Sequence, residues 1–90
     1  MSINTVFEAL SHPVRRRILA LLRQRGPLSA GVLADEFDLT KPTLSAHFSK
    51  LKEAELVAVE RQGTSLIYHL NMSILEEALS GFLAIGEDHK

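Results

Sequence analysis

Residues 39–51, LTKPTLSAHFSKL, gather the side chains in this chain best suited to chemistry, and what they suit is recognition of a polyanion. Thr40, Lys41, Thr43, Ser45, His47 and Lys50 offer hydroxyl, ammonium and imidazole groups, which hydrogen-bond to phosphate oxygens and to base edges. No acid falls between Leu39 and Lys52, so nothing in the stretch repels phosphate. Thr40 is placed to cap a helix by accepting from an unpaired first-turn N–H, and Pro42 fits that turn because its missing N–H is not needed there. Leu44, Phe48 and Leu51 then recur at helical spacing and make one apolar stripe. With that stripe held against a core, the other face presents small polar and cationic groups, as a DNA major groove requires. An ordinary amphipathic surface helix would show the same stripe, so the flanking sequence has to decide.

Catalysis is disfavoured. Ser45 and His47 lie too close along one helix to face each other, and no paired-carboxylate site, nucleophile elbow or phosphate loop occurs elsewhere. The chain has no cysteine, which excludes disulfides and thiolate metal sites, and its 4 histidines (His12, His47, His69, His89) are scattered without ligand spacing. No metal or other cofactor is expected.

The formal net charge is −1, low for a nucleic-acid binder, but the charges are segregated. Arg15, Arg16, Arg17, Arg23 and Arg25 fall between Ser11 and Ala34 with no acid among them, and Lys41, Lys50 and Lys52 follow. The acids gather at Asp35, Glu36 and Asp38, then at Glu76, Glu77, Glu87 and Asp88. At 90 residues the chain suits one small domain, yet 46% of it is apolar, more than such a core readily hides. A second copy is the simplest cover for the surplus. No apolar run reaches the roughly 18 residues that cross a bilayer, and the first residues lack the basic start of a signal peptide. A cytoplasmic location is the expectation.

The elements that must position the 40–55 helix follow from the pattern. Residues 5–10 form a short helix with Val6, Phe7 and Leu10 on one edge. Pro13 opens a second helix whose stripe is Val14, Ile18, Leu21 and Leu22, and Gly26 with Pro27 ends it. Leu28 allows a residue or two of extended pairing before Ser29, which caps a third helix with Val32, Leu33 and Phe37 inward, ending near Asp38. A link over 38–40 then completes a helix-turn-helix. After Glu55 the period changes to that of a β-hairpin, with a turn at 62–65 and Leu66, Tyr68 and Leu70 on one face. Asn71 caps a last helix reaching about Ile85, apolar over more than one face. The expected fold is therefore α+β and mainly α: a winged helix-turn-helix of about five helices plus a two-stranded hairpin, in one domain over 1–90.

In this order the elements resemble the ArsR/SmtB-type winged-helix repressors of bacteria, from about Val6 to Leu83. Three stretches carry the resemblance: ALSHPVRRRIL at 9–19, LTKPTLSAHF at 39–48, and LKEAELV at 51–57 followed by the hairpin with Arg61, Gly63, Tyr68 and Leu70. The small size is most like the metal-independent autorepressors of the group. The resemblance implies a homodimer joined by first and last helices, through Val6, Phe7, Leu10, Leu75, Leu79, Phe82 and Leu83. It also implies binding to an inverted repeat in double-stranded DNA, with recognition helices about 34–36 Å apart. Lys41 stands where the family usually has glutamine, and is expected to read a guanine or hold a phosphate. Thr43 and Ser45 are expected at base edges or phosphates. His47 is expected to donate to a phosphate or to be a structural histidine. Lys50, Arg61 and Arg15 or Arg16 are expected on phosphates, with Arg61, Gln62 and Thr64 at the tip of the 60–66 wing, near the phosphate backbone or in the minor groove. Ser29 and Gly31 occupy the places of thiolates in the family's metal sensors, so metal sensing is not expected. An unidentified protein or small-molecule effector is left open, as are a ligand-responsive repressor of this fold and a winged helix turned into a protein-interaction module.

Overall fold

The computed structural model describes residues 2–85. Helix α1 (Ile3–Leu10) is followed by α2 (Pro13–Arg25), strand β1 (Leu28–Ser29), α3 (Ala30–Ala34), α4 (Lys41–Glu53), strands β2 (Val57–Gln62) and β3 (Ser65–Leu70), and α5 (Met72–Ile85). Local chemistry sets the boundaries. His12 caps α2, its Nδ1 accepting from the Val14 N–H at 3.1 Å, with Pro13 in the first turn. Gly26 ends that helix with φ 82°, a value that favours glycine. Ser29 caps α3 by accepting from the Val32 N–H at 3.1 Å, and Thr40 caps α4 by accepting from the Thr43 N–H at 3.3 Å.

Three features differ from the sequence-based expectation. The sheet has three strands, in the order β1-β3-β2, because Leu28 and Ser29 pair antiparallel with Tyr68 and Ile67. The short β1 thereby satisfies backbone groups on the edge of β3 that a bare hairpin would leave to water. Helix α3 is one turn and ends at Ala34, where the Glu36 and Phe37 N–H groups close tight turns onto Leu33 and Ala34, so the link to α4 runs over 35–40. Within α3, Leu33 is fully buried while Val32, expected inward, is 37% exposed. Asn71 does not act as a simple cap. Its side-chain oxygen accepts from the Ser73 hydroxyl at 2.9 Å, and its N–H donates to the Leu56 carbonyl at 2.9 Å, tying the start of α5 to the threshold of β2.

The core is built from Val6 of α1, Ile18 of α2, Leu33 of α3, Leu51 of α4, and Leu56 just before β2, all fully buried. Leu44, Phe48 and Leu51 form the buried stripe of α4, and the Phe48 ring stacks on Tyr68 of β3 with centroids 4.5 Å apart. Such a ring pair contributes about 0.5–1.5 kcal/mol beyond its area. It fixes α4 to the hairpin.

The end of α4 carries an unfavourable backbone. Glu55 has φ 60°, the left-handed conformation, while the Leu56 N–H donates to the Leu51 carbonyl at 3.0 Å and the Glu55 N–H to that of Lys52 at 2.9 Å. This is a Schellman motif, whose left-handed position is normally glycine. A β-carbon there costs roughly 1–2 kcal/mol, partly offset by the lower entropy of a non-glycine unfolded chain. Glu55→Gly is therefore expected to stabilise the fold by about 0.5–1 kcal/mol, read as a rise in the urea midpoint at unchanged slope.

Candidate nucleic-acid interface

The N-terminal half of α4 projects from the body with its polar groups outward. Thr40, Lys41, Thr43, Ser45 and Ala46 are all exposed, while Leu44 beneath them is buried. Lys41 and Ser45, one turn apart, line a cleft of about 280 Å³ between α3 and α4, together with Ala30, Gly31, Leu44 and Phe48. The hydroxyls of Thr40 and Thr43 are joined at 2.8 Å, with Thr40 Oγ1 donating, so Thr43 keeps its own O–H to donate to the surroundings. Among the described residues, Lys41 has no acid partner. Its ammonium is available to an incoming acceptor.

Lys50 is placed differently. Its Nζ lies 3.1 Å from Glu8 Oε2 of α1, both side chains well exposed, a pair contributing about 0.2–1 kcal/mol. That contact engages the cation with α1, and a phosphate would have to displace Glu8. On the wing, Arg61, Gln62 and Thr64 are exposed around the turn at Gly63, whose φ is 62°. His69 Nε2 lies 3.1 Å from Glu60 Oε1 on the flank of the hairpin, a charged pair only when the imidazole is protonated.

Of the expected DNA contacts, His47 takes its structural alternative and Arg16 is engaged within the subunit. His47 is 8% exposed, and its Nδ1 receives Arg15 Nη1 at 3.1 Å. It is a structural histidine, bonded to a side chain and not to backbone. Arg16 is exposed but donates from Nη1 to the Leu10 carbonyl at 2.7 Å. It lines a groove of about 280 Å³ with Leu19, Arg23, Leu70 and Leu75, none of which belongs to α4 or the hairpin tip. The structure does not bring Arg16 to the interface.

Arg15, expected on a phosphate, is likewise buried at 9% exposure. Its Nε donates to the Ala9 carbonyl at 2.7 Å and its Nη2 to the Glu8 carbonyl at 3.0 Å, both near the end of α1, while Nη1 reaches His47. The signal was present in the spacing: Arg15 precedes Ile18, Leu19 and Leu22 by three, four and seven residues, which puts it on the buried stripe of α2. Burial, together with the nearby His12 and Arg15, holds the His47 pKa below its ordinary value of 6.5. The unfolded chain therefore takes up a proton at His47 before the folded one does. This contribution to stability is constant above pH 6.5 and is lost as pH falls below it.

The expected joining surface is also partly redrawn. Val6 is 0% exposed and belongs to the subunit's own core. Phe7 is half-buried and meets Phe82 edge to face with centroids 5.4 Å apart, and Leu10 and Leu75 pack part-buried on the core. Leu79, Phe82 and Leu83 stand out at 44%, 54% and 67% exposure, with Ile85 beside them at 67%. That apolar stripe stays exposed even with Phe7 against Phe82. No helix of the described residues is long and apolar enough to cross a membrane.

Comparison with known proteins gives the same architecture. Residues 10–60 match the family described as a helix-turn-helix domain. The transcriptional repressor SdpR of Bacillus subtilis (strain 168) is 40% identical over 81 residues, covering 90% of this chain and 89% of the relative. The arsenical resistance operon repressor of Staphylococcus xylosus is 38% identical over 74 residues, covering 82% of this chain and 70% of the relative. Among solved structures, an ArsR-like transcriptional regulator from Rhodococcus sp. RHA1 superposes with a TM-score of 0.84 at 27% identity, over 96% of this chain and 80% of that one. A winged helix with a presented polar helix, these relatives and this shared fold agree: the chain belongs to the ArsR family of helix-turn-helix transcriptional repressors.

Proposed function

We propose that this chain represses transcription in the cytoplasm as a homodimer on an inverted repeat, with α4 of each copy in a major groove and the hairpin tips along the flanking backbone. The observation that carries this reading is the exposed face of α4, where Lys41, Thr43 and Ser45 stand clear of any acid above a buried Leu44–Phe48–Leu51 stripe. Lys41 is assigned to a guanine or an adjacent phosphate, Thr43 and Ser45 to base edges or phosphates, and Thr40 to the backbone at the helix N-terminus. Arg61, Gln62 and Thr64 are assigned to the sugar-phosphate backbone beside the groove, and Lys50 to a phosphate once it leaves Glu8. The exposed stripe of Leu79, Phe82 and Leu83, with Phe7 beside it, is assigned to the partner copy.

Although the Staphylococcus xylosus relative is named for arsenical resistance, this chain has no cysteine with which to bind a soft metalloid. Repression without a metal effector is therefore favoured. A footprint of the purified protein on the DNA upstream of its own gene tests binding, two-fold symmetry and autoregulation together. Protection of a symmetric site whose affinity falls steeply with salt supports the reading; no protected duplex there or in a randomised library overturns it.

Lys41→Ala separates the two roles of that lysine. A loss of about 1–3 kcal/mol confined to one base position is expected if it reads a base. An equal loss on every sequence, with the salt slope reduced by about 1, would make it a phosphate contact. Titrations on a panel of point-substituted duplexes distinguish these.

A further inference from the structure

The junction of α1, α2 and α4 holds a polar cluster that neither DNA contact nor core packing explains. Arg15 reaches three acceptors at once: the Ala9 and Glu8 carbonyls near the end of α1, and His47 Nδ1 in the middle of α4. A guanidinium only donates, so His47 Nδ1 must be the acceptor and the ring must be neutral. The ring of His12, whose own Nδ1 caps α2, lies 4.4 Å from that of His47. Every buried side-chain polar atom among the described residues has its partner. The cluster thus joins the helix assigned to DNA to a helix assigned to the partner copy.

We propose that Arg15 and His47 are positioning residues that set the angle of the recognition helix relative to the dimer-forming helices, and that this clamp holds only while His47 is neutral. The proposal rests on the DNA-binding dimer reading given above. A helix held by its apolar stripe can still roll or slide on a hydrocarbon surface, because apolar contact is non-directional. The guanidinium fork is directional, and it engages α1 and α4 together. A shift of α4 relative to α1 in each copy changes the separation of two recognition helices across a dimer. Clamp strength should therefore govern how sharply the protein discriminates half-site spacing.

The charged and titratable groups around His47 point one way. Arg15 from α2 and His12 from the α1–α2 link approach it directly, and Lys50 lies on α4 itself. From α1, Glu8 presents its carbonyl to Arg15 and its carboxylate to Lys50. Among the described residues no carboxylate is hydrogen-bonded to the ring. A proton on Nδ1 would remove the acceptor and set two cations in contact.

The test uses the full chain and a duplex that it selects from a random-sequence library, with variants of that duplex whose half-site spacing is altered by one base pair either way. His47→Asn keeps an acceptor oxygen near the place of Nδ1 and cannot be protonated. Expected for the wild type is an affinity that falls, by less than about tenfold, between pH 7.5 and pH 5.5 and continues to fall below it, with weaker discrimination among spacings. His47→Asn should bind within about threefold of wild type at pH 7.5, keep its spacing preference and lack the acid-dependent loss. Arg15→Lys, which keeps the charge and loses the fork, should flatten the spacing preference at both pH values. Circular dichroism and sedimentation confirm that each variant remains folded and dimeric. Wild-type affinity that rises at pH 5.5, while that of His47→Asn does not, would make His47 a phosphate contact and overturn the proposal. Unchanged spacing preference in both variants would also overturn it. A wild type that selects no duplex at all would take down the DNA-binding reading itself.

Discussion

Replacing Phe82 by glutamate is expected to leave the domain folded and to convert it to a monomer that no longer holds an inverted repeat. Phe82 is 54% exposed in the isolated subunit, where it makes an edge-to-face pair with Phe7. Loss of that contact costs the fold only about 0.5–1.5 kcal/mol. In a two-fold interface the same side chain is buried twice, and a carboxylate there has neither hydration nor a partner. A penalty of about 3 kcal/mol or more follows, which weakens dimerisation at least about 100-fold. DNA binding suffers further. Joining two reading helices in one molecule gives the second contact an effective concentration that raises avidity by about 10²–10⁴. Sedimentation of the variant at about 10 μM, beside gel shifts on the wild-type duplex, reads both losses. A Phe82→Glu protein that sediments as a dimer and binds normally would place the joining surface elsewhere than α5.

Leu51→Ala is expected to cost about 3 kcal/mol of stability, since a fully buried leucine truncated to alanine loses both its transfer energy and the contacts around the cavity left behind. For a 90-residue domain that is a large part of the whole margin. Leu51 ends the buried stripe of α4 and its carbonyl accepts from the Leu56 N–H just before β2, so the loss loosens the mount of α4 as well as the core. Urea unfolding measures it, with exposed Lys52→Ala as the control expected within about 0.5 kcal/mol of wild type. A cost below about 1 kcal/mol for Leu51→Ala would mean that the stripe is not what fixes α4.

Much of this molecule could be read from residue spacing. The caps at Thr40 and Ser29, the break at Gly26, the Leu44–Phe48–Leu51 stripe and the hairpin about Gly63 each follow from short-range rules, and each is present in the structure. What the sequence reading missed were side chains whose partners lie on distant elements, even where, as at Arg15, the spacing already placed the residue on a buried stripe. Arg15 reads as a surface cation because its neighbours Arg16 and Arg17 are surface cations, yet its acceptors lie on α1 and α4. His47 aligns with polar groups along α4, but α4 turns its imidazole inward toward α2. Val6 reads as interface because it shares an edge with Phe7 and Leu10, and only the packing of α1 against its own domain puts it at the centre. The third strand shows in the sequence only as a residue or two of extended pairing at Leu28, with no partner named. Two residues of extended chain carry no periodicity, and Leu28 and Ser29 become a strand only because Tyr68 and Ile67 lie alongside.

The bridge from Leu28 and Ser29 to β3 has a consequence for how such a protein can diversify. It splices the root of the hairpin to the loop that launches α3, so the root inherits the rigidity of the reading head while the turn at Gly63 and Thr64 hangs beyond any such splice. Insertions or exchanges at that tip would alter reach and grip along the flanks of a site without disturbing what the central helix reads. A lineage built on this chassis can therefore vary its hairpin tip and its central helix one at a time.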